Sequence, residues 1–238
     1  DRRRFIVLGT AGSVAVLTGC GGGGGEAASM PGMGSVPPPV PPPATPPVTG
    51  LTKGQPLAAL PRLGNVSATA GAFEATLIAE RTTVALLPGT TTEFWSYNSK
   101  VPGPLIDVFE GDTVRIRLDN RLSQETTVHW HGLPVPPDQD GNPMDPVAPG
   151  ASRPYEFTLP VGSAGTYWYH PHPHEMTAEQ VFRGMAGLLI VRSRTDPVPT
   201  AIEEKLLVIS DLRLAADGTI PANTPMDWQT GREGNYVL

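Results

Sequence analysis

Within Asp112-Thr-Val-Arg-Ile-Arg-Leu118, the five residues from Val114 to Leu118 alternate apolar and charged without a break. No helix can use that pattern, because only a two-residue repeat puts Val114, Ile116 and Leu118 on one face and Arg115 and Arg117 on the other. Similar short β-prone runs flank it: Phe73 to Ala79, Thr82 to Leu87, Glu93 to Tyr97, Thr126 to His131, Tyr155 to Leu159, Gly165 to His170 and Gly187 to Arg192. Proline, glycine and polar residues separate them, as expected of a β-sandwich or barrel. Only Thr177 to Arg183 reads as helix, and it is short. With 39% hydrophobic residues the chain can support a core, and its 17% charged content suits an all-β protein.

All five histidines fall between positions 129 and 174. On a strand, residues i and i+2 share a face, so His129-Trp130-His131 presents two imidazoles side by side. His170-Pro171-His172 repeats the arrangement on a second segment. A single His-x-His is most often an ordinary surface pair. Two of them on successive strand ends, using four of five histidines, point to a metal. Imidazole serves copper, zinc and nickel alike, so the pattern alone does not choose among them. His174 lies just past a proline in an expected loop and is not counted as a ligand.

The residues before position 60 have another character. Arg2, Arg3 and Arg4 precede an apolar run from Phe5 to Leu17, the layout of an export signal and similar to a twin-arginine leader. Leu17-Thr-Gly-Cys20 resembles a bacterial lipobox, which would make Cys20 the site of a lipid anchor. Gly21 to Gly25 and the proline-rich stretch from Val36 to Val48 cannot bury a core and read as a spacer. The expected order is a signal peptide over 1–20, a linker over 21–60, a first domain over 61–194 and the opening of a second over 195–238. Lys205 to Ser210 is the strand expected to begin that second domain. The product is expected to be exported, periplasmic or in the cell envelope, touching a membrane only through Cys20. A net charge of −6 and the lack of a Lys/Arg cluster in the body exclude nucleic acid as a partner.

His129-Trp-His-Gly132, Gly165-Thr-Tyr-Trp-Tyr-His-Pro-His172 and Gly184-Met-Ala-Gly-Leu-Leu-Ile-Val191 together resemble the first cupredoxin domain of multicopper oxidases. Tyr97-Asn98, Val101-Pro-Gly-Pro104 and Glu110-Gly-Asp-Thr-Val114 are similar to the early strands of that domain. The subgroup most resembled is that of bacterial laccases and periplasmic cuprous oxidases. The resemblance implies a cupredoxin-like Greek-key β-sandwich and copper as cofactor. It implies that His129 binds a type 2 copper, His131 and His170 one type 3 copper, and His172 the other. Asp140, in Asp138-Gln-Asp-Gly141, matches an acid that resembles a proton donor for oxygen reduction; a plain turn aspartate before glycine fits the residues equally. Glu175 stands where the family usually has glycine.

The implied reaction couples one-electron oxidation of a small reducing substrate to four-electron reduction of dioxygen. Phenols, cuprous ions, bilirubin-like pigments and metal ions all remain open as reductants. A type 1 copper needs a cysteine, and the one cysteine, Cys20, lies in the leader. That site and four more cluster histidines are therefore expected from further cupredoxin domains, in cis or on another chain, and this chain alone is expected to be inactive. The alternative is a copper-free or copper-sequestering cell-envelope cupredoxin without oxidase activity.

Overall fold

The computed structural model describes residues 58–237 apart from 197 and 200. The leader, Cys20 and nearly all of the expected linker lie outside the described residues. Two four-stranded sheets face each other. One has the order β2-β1-β4-β6, built from β1 (Ala72–Val84), β2 (Thr92–Tyr97), β4 (Thr113–Asn120) and β6 (Ser152–Thr158). The other has the order β3-β8-β7-β5, built from β3 (Gly103–Phe109), β5 (His129–His131), β7 (Gly165–His170) and β8 (Gly187–Arg192). The chain passes from sheet to sheet at every connection from β2 to β7 and stays within one sheet at β1–β2 and β7–β8. This is the all-β sandwich expected from the sequence.

The alternation in β4 does what it promised. Val114, Ile116 and Leu118 are buried while Arg115 and Arg117 are exposed. They meet Phe73, Ala75 and Leu77 of β1 in parallel register, and Phe157 and Tyr155 of β6 stand opposite Val114 and Ile116. Ile106, Val108, Trp130, Tyr169, Leu189 and Val191 close the same core from the second sheet. Each such aliphatic side chain contributes about 1.5–3 kcal/mol by leaving water. Arg115 and Glu156 pair across the outer face at 3.0 Å, where exposure keeps the contribution small.

Several expectations need correction. Phe73 to Ala79 and Thr82 to Leu87 are not two strands but mainly one, because β1 changes partner at Ala79: its first half pairs with β4 and its second with β2. Thr126 to His131 shortens to β5, with Thr126 held only by an isolated bridge to Val147. The strand expected over Lys205 to Ser210 does not form. Leu207 and Ile209 are exposed, and no neighbouring strand takes up that backbone among the described residues. The regular structure nearby is instead a short pair, β9 (Asp211–Leu212) with β10 (Tyr236–Val237).

The expected helix is α1 (Thr177–Phe182). A second, α2 (Pro225–Thr230), was not expected, although its signature is in the sequence. Thr224 caps it, Pro225 starts it, and Asp227 completes a capping box. Leu212, Leu214 and Ile220 join Phe94 in a small second core against Phe182 and Tyr236.

Candidate metal centre

Strands β5 and β7 run antiparallel, with His129 opposite His170 and His131 opposite Trp168. The pleat turns Trp130 and Tyr169, which lie between these residues, into the core, where both are fully buried. His129, His131 and His170 are thereby left on the other face, at the edge of the second sheet. His172 lies beyond the end of β7, in an extended stretch rather than in the strand the sequence implied. Its ring still reaches the group. Ring centroids are 5.6 Å apart for His129 and His131, 5.3 Å for His129 and His170, 5.3 Å for His129 and His172, 5.4 Å for His131 and His170, and 6.0 Å for His170 and His172.

The nitrogens are differentiated by their partners. His129 Nδ1 lies 2.9 Å from the Asp140 carbonyl, and His170 Nδ1 lies 2.8 Å from the Pro171 carbonyl. A carbonyl only accepts, so each Nδ1 carries the proton and each Nε2 keeps its lone pair free. Donation of the second ring N–H to a backbone carbonyl is the usual support of a metal-bound histidine. His131 Nδ1 is 3.1 Å from His170 Nε2. The two nitrogens are close enough that one ion would be held by both. Ligand atoms of His129, His131 and His170 all lie within 4.8 Å of one another. His172 Nδ1 is buried without a hydrogen-bond partner. Four imidazoles, with no carboxylate or thiolate among them, fit copper.

Burial holds the His170 imidazole down to about 4, against the Pro171 carbonyl, which raises it; the neighbouring His129, His131 and His172 add to the lowering. His170 is therefore neutral, and available as a ligand, throughout the neutral range. Trp168 stacks on both rings, with centroids 4.1 Å from His170 and 4.8 Å from His131. No local pattern singles it out, since only the antiparallel register places Trp168 beside His131.

Asp140 stands beside His129. Its Oδ1 is 3.1 Å from His129 Nδ1, but it is buried without a hydrogen bond, because the ring N–H points to the residue's own carbonyl. The loop carrying it is fixed on three sides. Trp130 Nε1 donates to the Gln139 carbonyl at 3.0 Å, the Glu156 amide donates to Gln139 Oε1 at 2.8 Å, and Arg153 donates to the Asp138 carbonyl at 2.8 Å. Gly141 has φ 62° and packs so closely on Val128 that any β-carbon would overlap the Val128 carbonyl. His174 points away, its side chain 74% exposed beside the still more exposed Glu175. Glu175 adopts φ 61°, the left-handed region where glycine is the comfortable residue.

A family model described as multicopper oxidase matches residues 78–196. The chain is 38% identical over 116 residues to a multicopper oxidase of Staphylococcus aureus, covering 49% of this chain and 26% of that protein. It is 34% identical over 144 residues to the cell division protein FtsP of Escherichia coli, covering 58% of this chain and 30% of that protein. Among solved structures, a multicopper oxidase of Campylobacter jejuni, described as a metallo-oxidase, superposes with a TM-score of 0.74 at 49% identity. That match covers 76% of this chain and 38% of that one. The chain thus spans under a third of the length of these sequence relatives.

Proposed function

The chain belongs to the multicopper oxidase family, and on that premise we propose that it contributes half of an oxygen-reducing copper cluster. In this reading His129 holds a type 2 copper, His131 and His170 hold one type 3 copper between them, and His172 holds the other. The remaining four ligands and the type 1 electron-entry site come from further cupredoxin domains, in cis or on another chain, and residues 195–238 open the second of these. The electron donor is a small reductant, a phenolic compound or cuprous ion. The arginine-led leader exports the protein to the periplasm or envelope, and lipidation at Cys20 tethers it there.

One observation carries the reading: His131 Nδ1 and His170 Nε2 lie 3.1 Å apart while the other ring nitrogen of His170 is already committed to a carbonyl. Copper bound there would supply the one-electron redox steps that together reduce dioxygen to water. The protein's part is to hold His129 and His170 in one tautomer, so that no proton must leave before a metal can bind. Asp140 is the proton donor. Its carboxyl group lies against His129 yet remains a third exposed, so solvent can replace a proton that it gives up.

Copper content and electron paramagnetic resonance test this together. His131→Ala and His170→Ala should each lose the same copper, and His129→Ala a different one. Unchanged copper in the first two would sink the assignment. In the assembled oxidase, Asp140→Asn should keep its copper while oxygen reduction slows by about 100-fold; an unchanged rate would remove Asp140 from the mechanism. The likeness to a protein named for cell division rather than oxidation leaves a second reading, a copper-free or copper-sequestering envelope protein without oxidase activity. A sequestering protein would hold copper tightly as an isolated chain, whereas a half-site would hold it weakly.

A further inference from the structure

His172 is held differently from the other three histidines. No ladder fixes it, since β7 stops at His170, and Pro171 and Pro173 on either side have no amide proton to give. The His172 amide is therefore the one backbone donor of that tripeptide, and it donates to Thr127 Oγ1 at 2.8 Å. Thr127 is completely buried and lies two residues before His129, on the same short segment that carries His131.

That segment is braced in turn. The Thr126 hydroxyl donates to Gln180 Oε1 at 2.7 Å, and Gln180 Nε2 donates to the Glu125 carbonyl at 2.8 Å. Tyr97 adds its phenol to the Thr127 carbonyl at 3.3 Å. Gln180 is fully buried on α1, the helix that ends the loop carrying His172. A buried glutamine is costly unless both ends of its amide are bonded, and here both are.

We propose that Thr127 is a positioning residue: its hydroxyl sets His172 against His129 and His170, with Gln180 bracing the segment on which Thr127 sits. The proposal rests on the copper-ligand assignment of His172. It makes the two arms of the cluster interdependent, since one hydroxyl on the first arm locates the ligand on the second.

The test uses the 15N-labelled chain, free of metal and then titrated anaerobically with Cu(I), with nuclear magnetic resonance reading each imidazole. Thr127→Val keeps the shape and removes the acceptor, while Thr127→Ser keeps the acceptor. In Thr127→Val the His172 response should need roughly tenfold more Cu(I), with His131 and His170 responding as in the wild type. Thr127→Ser should restore it. A His172 response unchanged in Thr127→Val, or an equal weakening at all four histidines, overturns the proposal while leaving the copper assignment intact. In the wild type the His172 amide should exchange slowly with solvent. Free exchange overturns the proposal even if Thr127→Val fails to fold. A protected amide on a wild-type ring that ignores Cu(I) would instead defeat the ligand assignment, and the positioning role with it.

Discussion

At His129 and His170 a backbone carbonyl takes the Nδ1 proton, and this decides which nitrogen each ring offers to the cluster. The carbonyl at His129 belongs to Asp140, so the geometry of that loop is also the geometry of the ligand. Gly141→Ala should displace the loop, since its φ is 62° and a β-carbon would collide with Val128. We expect a loss of about 2 kcal/mol or more in urea unfolding, with a shifted His129 Nδ1 resonance. An alanine variant as stable as the wild type would mean that the loop adapts at no cost. Glu175 is the converse case, a non-glycine residue at φ 61°. Glu175→Gly should gain about 0.5–1 kcal/mol, seen as a small rise in Tm, because relief of the left-handed strain exceeds the entropy added to the unfolded chain. The resemblance to the family implied glycine at this position; the backbone conformation that makes it matter was not legible in the sequence.

Among the elements, β5 and β7 were foreseen because their residues carry a two-residue period and bulky β-prone side chains. Gly165 to His170 and Gly187 to Arg192 form as expected, while β5 is shorter than expected because only His129 to His131 finds a ladder partner. Lys205 to Ser210 is also rich in β-prone residues but finds no partner strand among the described residues, and composition alone does not make a strand. α2 went unforeseen because it is six residues long and buries none of them, so it has no apolar stripe to read. Its cap was the available signal. Thr224→Ala removes the side-chain acceptor for the Asp227 amide and should cost about 1 kcal/mol locally. Hydrogen exchange should report it, with the amides of residues 226–230 opening faster while the global melt hardly moves. A global loss of the same size would mean that α2 is coupled to the sandwich.

For the molecule as a whole, placing a neutral histidine in the sandwich edge ties stability to pH. His170 is held at about 4 when folded, whereas an unfolded histidine takes its proton near 6.5. Between those values the unfolded chain binds the extra proton, so the metal-free protein should lose stability as pH falls from about 6.5 to about 4. The loss should be on the order of 2 kcal/mol, and His170→Gln should flatten it in urea unfolding at pH 7 and 4.5. A slope unchanged in that variant would place the dependence elsewhere. Asp107 is held low by Arg192 and Arg62 in spite of its burial, and its contribution fades only at still lower pH. The sequence by itself determined the strand class and the two arms bearing histidines, because two-residue periodicity and His-x-His spacing are local properties, and its motifs carried the resemblance to the family. It could not determine that His131 would meet His170, that Trp168 would stack on His131, or that a threonine would hold His172. Those contacts join residues about forty positions apart, and only the antiparallel register of β5 with β7 and the packing of α1 against the Thr126–Thr127 segment bring them together.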